Sequence, residues 1–201
     1  MKRNTGAAVA AGALLATLAA AEAAPYRYRI DPEHFTAAFT VRHIGYANAL
    51  GQFLRGGGSF VFDEEARRLS DLRVEIDAAS VFTNHKERDE HLRKSDFLDS
   101  GRHPTITFVG RSAEPTGERT GRVSGDLTLL GVTRPVTLDV TWNKSGRYPM
   151  GDNYVVGISA RATLRRSEWG MTYAVEGDFV GDEVGIILEL EAIRGEQVAA
   201  P

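Results

Sequence analysis

The chain has 201 residues, a formal charge of −3 at neutral pH, 42% hydrophobic and 25% charged side chains, and no cysteine. The missing cysteine excludes disulfides, zinc–thiolate centres and cysteine nucleophiles. The slight acidity gives no support for a nucleic-acid partner, which needs a basic face, and the length fits one domain with a sizeable core.

Lys2 and Arg3 form a basic start, residues 7–21 are Ala/Leu-rich and uncharged, and Ala21-Glu22-Ala23 has the small-x-small form of a cleavage site. This pattern predicts a secretory signal peptide over 1–23, cut after Ala23. The run is short and weakly apolar for a membrane span, and no cysteine stands nearby to accept a lipid. No later stretch reads as an integral membrane segment. Loss of 1–23 removes Lys2, Arg3 and Glu22, leaving a formal charge of −4. A bacterial periplasm is the expected compartment, with secretion left open.

The mature chain then alternates. Tyr26 to Ile30 reads as a strand ended at Asp31-Pro32, and Phe35, Ala37, Phe39 and Val41 share the next inward row. Apolar side chains at every second position are the mark of a half-buried strand. Gly51, Phe53 and the run Gly56-Gly57-Gly58 lead to Phe60 and Phe62. Three glycines in a strand predict a bulge or sharp bend. Leu72, Val74, Ile76 and Ala78 make a further row.

Residues 80–99, SVFTNHKERDEHLRKSDFLD, break the alternation. Thr83 is a candidate N-cap, and the eleven residues after it are charged or polar apart from Leu92. Glu90 with Lys94 and Asp89 with Arg93 are one turn apart. The pattern predicts one short charged helix over 84–95, anchored by Val81, Phe82, Leu92, Phe97 and Leu98. Such a polar helix does not build a core. It is either a solvated crossover or a flap at a binding-site mouth, and composition favours the crossover.

Strand rows resume with Ile106 and Phe108, then Val123, Gly125, Leu127 and Leu129, then Val136, Leu138, Val140 and Trp142. Val156, Ile158, Ala160, Ala162 and Leu164 form the next, and Val184, Ile186, Leu188 and Leu190 the last, with a frayed tail expected over 195–201. About eight one-sided antiparallel strands with a single helical insertion make an all-β domain over 24–194. A closed barrel buries the apolar faces and removes the edges; a sandwich competes. A barrel of this size is either filled with side chains or hollow enough for one ligand. Small inward residues at Ala37, Gly125, Ala160 and Ala162 favour a hollow, while Phe39, Phe60, Phe62, Phe108 and Trp142 are large enough to fill it.

Catalytic motifs are missing: no Gly-x-Ser-x-Gly, no phosphate-binding loop, no dinucleotide fingerprint and no His-Glu-x-x-His. His85 and Asp89 are one helical turn apart, but His91 points away from them, so a dedicated metal site is not expected. Arg88-Asp89 reads as a local ion pair rather than an acid/base element.

Taken together, the motifs resemble the YceI-like family of exported polyisoprenoid-binding proteins. The resemblance is carried by Tyr28-x-Ile30-Asp31-x-x-His34, Phe39-x-Val41-x-His43-x-Gly45 and Gly51-x-Phe53. It continues through Ser80-x-x-Thr83, Arg88-Asp89-x-His91-Leu92, Asp96-Phe97 and Pro104-x-Ile106-x-Phe108. Gly125 to Val136 and Arg166-Ser167-Glu168-Trp169-Gly170 complete it. Phe35, Leu98 and Trp169 depart from the family's usual residues without threatening the fold. The resemblance implies an extended, lipocalin-like antiparallel β-barrel whose long apolar tunnel holds an isoprenoid or similar amphiphile, with the charged insertion beside the barrel. It supplies no catalytic residue and no cofactor.

On that basis the tunnel is expected to be lined by Phe39, Val74, Phe108, Leu127, Leu138, Ile158, Ala160 and Leu188, with Val41 and Trp169 completing the ligand-binding set. The head group is expected near His43, Arg88 or Arg166. The expected function is a periplasmic carrier or sequestering protein for a polyprenyl or similar long-chain lipid. Two alternatives are an enzyme acting on such a lipid through His43, His91 and Asp89, and a stress-related interaction module. The sequence leaves the oligomeric state open.

Overall fold

The computed structural model describes residues 25–199; the expected signal peptide and the last two residues lie outside them. In chain order the strands are β1 (Tyr26–His43), β2 (Ala47–Phe53), β3 (Gly56–Asp63), β4 (Arg68–Asp77) and β5 (Val81–Phe82). The helix α1 (Lys86–Leu92) follows, then β6 (Thr105–Pro115), β7 (Thr120–Leu129), β8 (Val132–Arg147), β9 (Tyr154–Arg165) and β10 (Val180–Gln197). All ten strands belong to one antiparallel sheet in the order β10-β9-β8-β7-β6-β4-β3-β1-β2-β5, and β10 also pairs with β1. That last pairing closes an eight-stranded barrel, to which β2 and β5 are additions.

The additions come from breaks in longer strands. The lower half of β1 pairs with β3 and the upper half with β2. Between them, at Leu54-Arg55, the backbone turns to the insertion instead: Leu54 N–H donates to Ser80 O, and Asp77 N–H to Arg55 O. Antiparallel alternation then fixes the two ends. One end carries the β1–β2 turn, the insertion at 78–104, the β7–β8 turn and the 166–179 connection. The other end carries both termini of the barrel and the β3–β4, β6–β7 and β8–β9 connections.

Two expectations about the strands change. The first strand does not stop at Asp31-Pro32. β1 runs on to His43, with a bulge between Ile30 and Phe35 where five steps on β1 face two on β10. The odd number of residues switches the inward row from even to odd positions, so Ile30 and Ala37 are both buried. Asp31 stabilises the bulge by accepting from Glu33 N–H at 3.0 Å and bonding His34 Nδ1 at 2.8 Å. At the other terminus, β10 continues through Gly195 to Gln197, which pairs with Tyr26. The frayed tail expected from 195 is therefore strand as far as Gln197.

The insertion also differs in detail. The helix caps on His85, whose Nδ1 accepts from Arg88 N–H. Thr83 instead donates its N–H (2.7 Å) and hydroxyl (2.5 Å) to Asp89, which is buried. With Asp89 turned inward, the helix-surface pairing observed is Lys86 with Glu90, 4.0 Å apart. Arg93 ties the helix back to the barrel through the carbonyls of Ala79 and Val81. Val81, Phe97 and Leu98 are buried and Leu92 packs against them. Phe82 is not an anchor, because it is exposed.

Candidate ligand cavity

The barrel is hollow. A cavity of about 660 Å³ lies inside it, within the range of small-molecule sites. Its wall is built from the alternating rows. Val41, Phe39 and Ala37 of β1 face Val184, Ile186 and Leu188 of β10, and the walls continue through Ala160 and Ile158 of β9 and Leu138 and Val140 of β8. Val74, Phe108 and Leu127 close the far side. Volume survives because the tips of large rings are drawn close against glycine. A Cβ on Gly51 would stand 2.3 Å from the Phe39 ring, and one on Gly125 would stand 2.5 Å from the Phe108 ring. With only hydrogen at those positions the ring tips take up space that a side chain would otherwise fill, instead of the centre.

Among the described residues, six polar side chains border the cavity: His43, Thr83, Arg88, His91, Arg166 and Tyr173. All six come from segments at one end, and no carboxylate is among them. At that end Ile44, Leu50, Tyr173 and Phe179 are 46–62% exposed to solvent while still bordering the cavity. This end is the mouth. The helix insertion supplies Thr83, Arg88, His91, Leu92, Phe97 and Leu98 to it. It is therefore a flap at the mouth and not the solvated crossover that its composition favoured.

Arg166 is the most constrained of the six. It is 2% exposed. Its guanidinium donates to the carbonyls of Gly181, Met171, Tyr173 and Val180, all at 2.8–2.9 Å. Burial pushes its pKa down, opposed by the charge of Asp182, and an arginine remains cationic under such pressure. Four of its five N–H donors are spent on the 171–181 strap that crosses the mouth. Asp182 braces the base of that strap by accepting from the Ser167 N–H and hydroxyl and from Arg165. Arg88 is exposed and anchored through Thr83 alone, at Nε and Nη2. His91 Nε2 bonds Asp96 at 2.9 Å, and its ring lies edge-on between Phe97 and Tyr173.

The thirteen side chains expected to hold ligand separate cleanly. Phe39, Val41, Val74, Phe108, Leu127, Leu138, Ile158, Ala160 and Leu188 border the cavity, and His43, Arg88 and Arg166 stand at its mouth. Trp169 does not border it. This ring is 2% exposed, and its indole N–H donates to Leu127 O at 3.2 Å, so it packs behind the wall. Thr83 and Tyr173 were not expected as site residues, and His91 only in the enzymatic alternative. Thr83 and His91 lie in the motif-bearing insertion, but Tyr173 lies in a loop without periodicity and gave no signal. His43, His91 and Asp89 share no hydrogen bond among the described residues, and Asp89 is committed to Thr83.

The opposite end is closed by aromatic packing. Tyr28 stacks on Phe60 with centroids 5.4 Å apart, and Phe62 meets Trp142 edge-on at 5.6 Å. Glu64 accepts from Tyr28 at 2.6 Å and from Tyr154 at 3.1 Å. Burial, then the hydrogen bond and charge of Glu64, push the Tyr28 hydroxyl pKa far up. Arg194 covers the Tyr154 ring at 3.8 Å and the Tyr26 ring at 4.5 Å.

A family model described as the YceI-like domain matches residues 28–192. A UPF0312 protein of Pseudomonas paraeruginosa is 37% identical over 194 residues, covering 96% of this chain and all of that protein. Another, of Pseudomonas savastanoi pv. phaseolicola, is 38% identical over 171 residues, covering 85% of this chain and 88% of its own. Among solved structures, BcnA of Burkholderia cenocepacia superposes with a TM-score of 0.72 at 22% identity, over 81% of this chain and 98% of that one. A polyisoprenoid binding domain from Saccharophagus degradans superposes with a TM-score of 0.60 at 14% identity, over 84% and 98% of the two chains. The family match spans nearly the whole barrel, from the floor tyrosine Tyr28 to Ala192 beside it. The chain is a member of the YceI-like family.

Proposed function

We propose that the protein is an exported carrier or sequestering protein for a polyprenyl or similar long-chain lipid, held chain-inward in the barrel. The observation that carries this reading is the separation of polarity. The cavity wall is apolar from the floor upward, and every polar side chain that borders it stands at the mouth. An amphiphile with one long chain and one small head matches that distribution. Burying the chain supplies the affinity, at about 0.8 kcal/mol per methylene. The mouth offers donors from Arg88, whose bonds to Thr83 leave guanidinium N–H groups over, and from the Tyr173 hydroxyl, and no carboxylate borders it, so it suits a head rich in acceptor oxygens, such as a hydroxyl or a phosphate.

Two further points support it. The Saccharophagus degradans domain that shares the fold is a polyisoprenoid binding domain. Lys2, Arg3 and the Ala21-Glu22-Ala23 site support export, and we read the compartment as a periplasm. We read the protein as a binder and not an enzyme, because the side chains of the catalytic alternative are not assembled and Asp89 is occupied. The test is native mass spectrometry of the mature protein purified from its own host's exported fraction. The expected result is a one-to-one complex that releases an intact long-chain lipid on activation. Protein free of lipid, or a stable complex with another protein in its place, would overturn the reading.

A further inference from the structure

The cavity does not run the full length of the barrel. On β10 its wall goes from Val180 to Leu190, roughly 33 Å along the strand, and stops before Ala192, which is fully buried. On β8 it stops at Val140, one inward position short of Trp142. On β3 it stops at Phe60, one inward position short of Phe62. Below that level Tyr28, Val156 and Ala192 have no exposed surface. The floor is stepped: on β1 and β4 the wall reaches one row lower, to Ile30, which pairs with Ala192, and to Leu69, which pairs with Phe62, while Phe60 stands over Tyr28.

We infer that Phe60, backed by Tyr28, is the chain-length determinant of this cavity, and that it limits the number of isoprene units the protein can bury. The inference rests on the reading of the cavity as a polyprenyl-chain site. The floor is stiff for reasons visible in the structure. The Tyr28 ring is stacked on Phe60 with an interplanar angle of 11°. Its hydroxyl is pinned by Glu64, which also holds Tyr154 from the far wall. Arg194 lies over the Tyr154 ring and the neighbouring Tyr26 ring. Trp142 is held in turn by its N–H to Ser145 at 2.7 Å. All polar atoms of the floor point to partners within it, so the chain end meets ring carbon. A rotating aliphatic floor would yield to a longer chain; a stacked and hydrogen-bonded aromatic floor does not.

A fixed floor and a fixed polar mouth give a discontinuity. Each isoprene added to a short chain is buried and raises affinity by at least about tenfold, under a ceiling of roughly several hundredfold from area burial. Once the chain reaches Phe60, further units stay outside the cavity and add nothing.

The experiment measures dissociation constants of a homologous series of all-trans polyprenols for three delipidated proteins. These are the wild type, Phe60→Ala, which deepens the cavity, and Val140→Phe, which raises the floor by one row. In the wild type, affinity should climb with chain length and then level off. Phe60→Ala should level off at a longer chain and Val140→Phe at a shorter one. Should Phe60→Ala fail to fold, Val140→Phe still decides the matter, because it adds bulk facing empty space. A plateau at one length in every folded protein, or affinity that climbs without limit in the wild type, overturns the inference and leaves the carrier reading standing. No binding of any polyprenol by the wild type overturns the carrier reading itself.

Discussion

Thr83 and Asp89 hold the mouth flap together through two bonds to one atom. The Thr83 N–H and hydroxyl both donate to Asp89 Oδ1, at 2.7 and 2.5 Å, and both residues are buried. Arg88 is fastened to the same threonine, so one carboxylate positions both the flap and a cationic group of the mouth.

Replacing Asp89 by Ala leaves two buried donors without an acceptor. The expected loss is about 1–3 kcal/mol in urea unfolding, with faster amide exchange confined to residues 83–100. Thr83→Val removes the hydroxyl but keeps the N–H bond, and should lose less. Equal losses from the two variants would show that the paired acceptor is not the important feature.

Arg166 carries a larger share. Arg166→Met strands the four strap carbonyls of Met171, Tyr173, Val180 and Gly181, and should cost at least about 3 kcal/mol. Arg166→Lys, with three donors on a flexible stem, should recover only part of it. Exchange of the 171–181 amides reports the local effect. A methionine variant within about 1 kcal/mol of the wild type would contradict this account.

Stability should also depend on pH through Asp182. Burial raises its pKa, but the Ser167 N–H and hydroxyl and the Arg165 guanidinium outweigh that and hold it below the usual carboxylate range. A depressed folded-state pKa gives stability that is complete above the unfolded-state value and is lost as pH falls through the folded-state value. Asp182→Asn should therefore be weaker than the wild type by about 1.5–3 kcal/mol near neutrality. The gap should shrink in acid as the wild-type carboxylate protonates. Urea midpoints of both proteins at about pH 7 and about pH 3 measure it. A gap of unchanged size would mean that the charge is not involved.

Much of the barrel was legible because its strands are one-sided. The rows through Val74, Phe108, Leu138 and Ile158 alternate without fault, and all of them border the cavity. The bulge at Asp31-Pro32 was misread because Pro32 ends most strands locally, whereas here the β10 pairing resumes at Phe35. The flap's place at the mouth was hidden because Leu92 is its only apolar helical residue, and position was decided by Phe97 and Leu98 beyond it. The floor was out of reach: Glu64 meets Tyr28 and Tyr154 from 36 and 90 residues away, and no local pattern encodes that meeting. Hollow against filled was undecidable from alternation, since it turns on which rings lie over which glycines.

The measurement that tests the hollow barrel most directly is polyprenol binding by Ala160→Phe. Ala160 lies between Val140 and Leu188 on neighbouring strands and borders the middle of the cavity. In a filled core the added ring would overpack, costing about 1–3 kcal/mol. In a hollow barrel it occupies the tunnel. The delipidated variant should melt close to the delipidated wild type, because bound lipid would otherwise stabilise whichever protein held it. Titrated with one polyprenol and followed through Trp142, it should bind at least about tenfold more weakly. A variant that melts far below the wild type, together with a wild type that binds no polyprenol, would contradict the account.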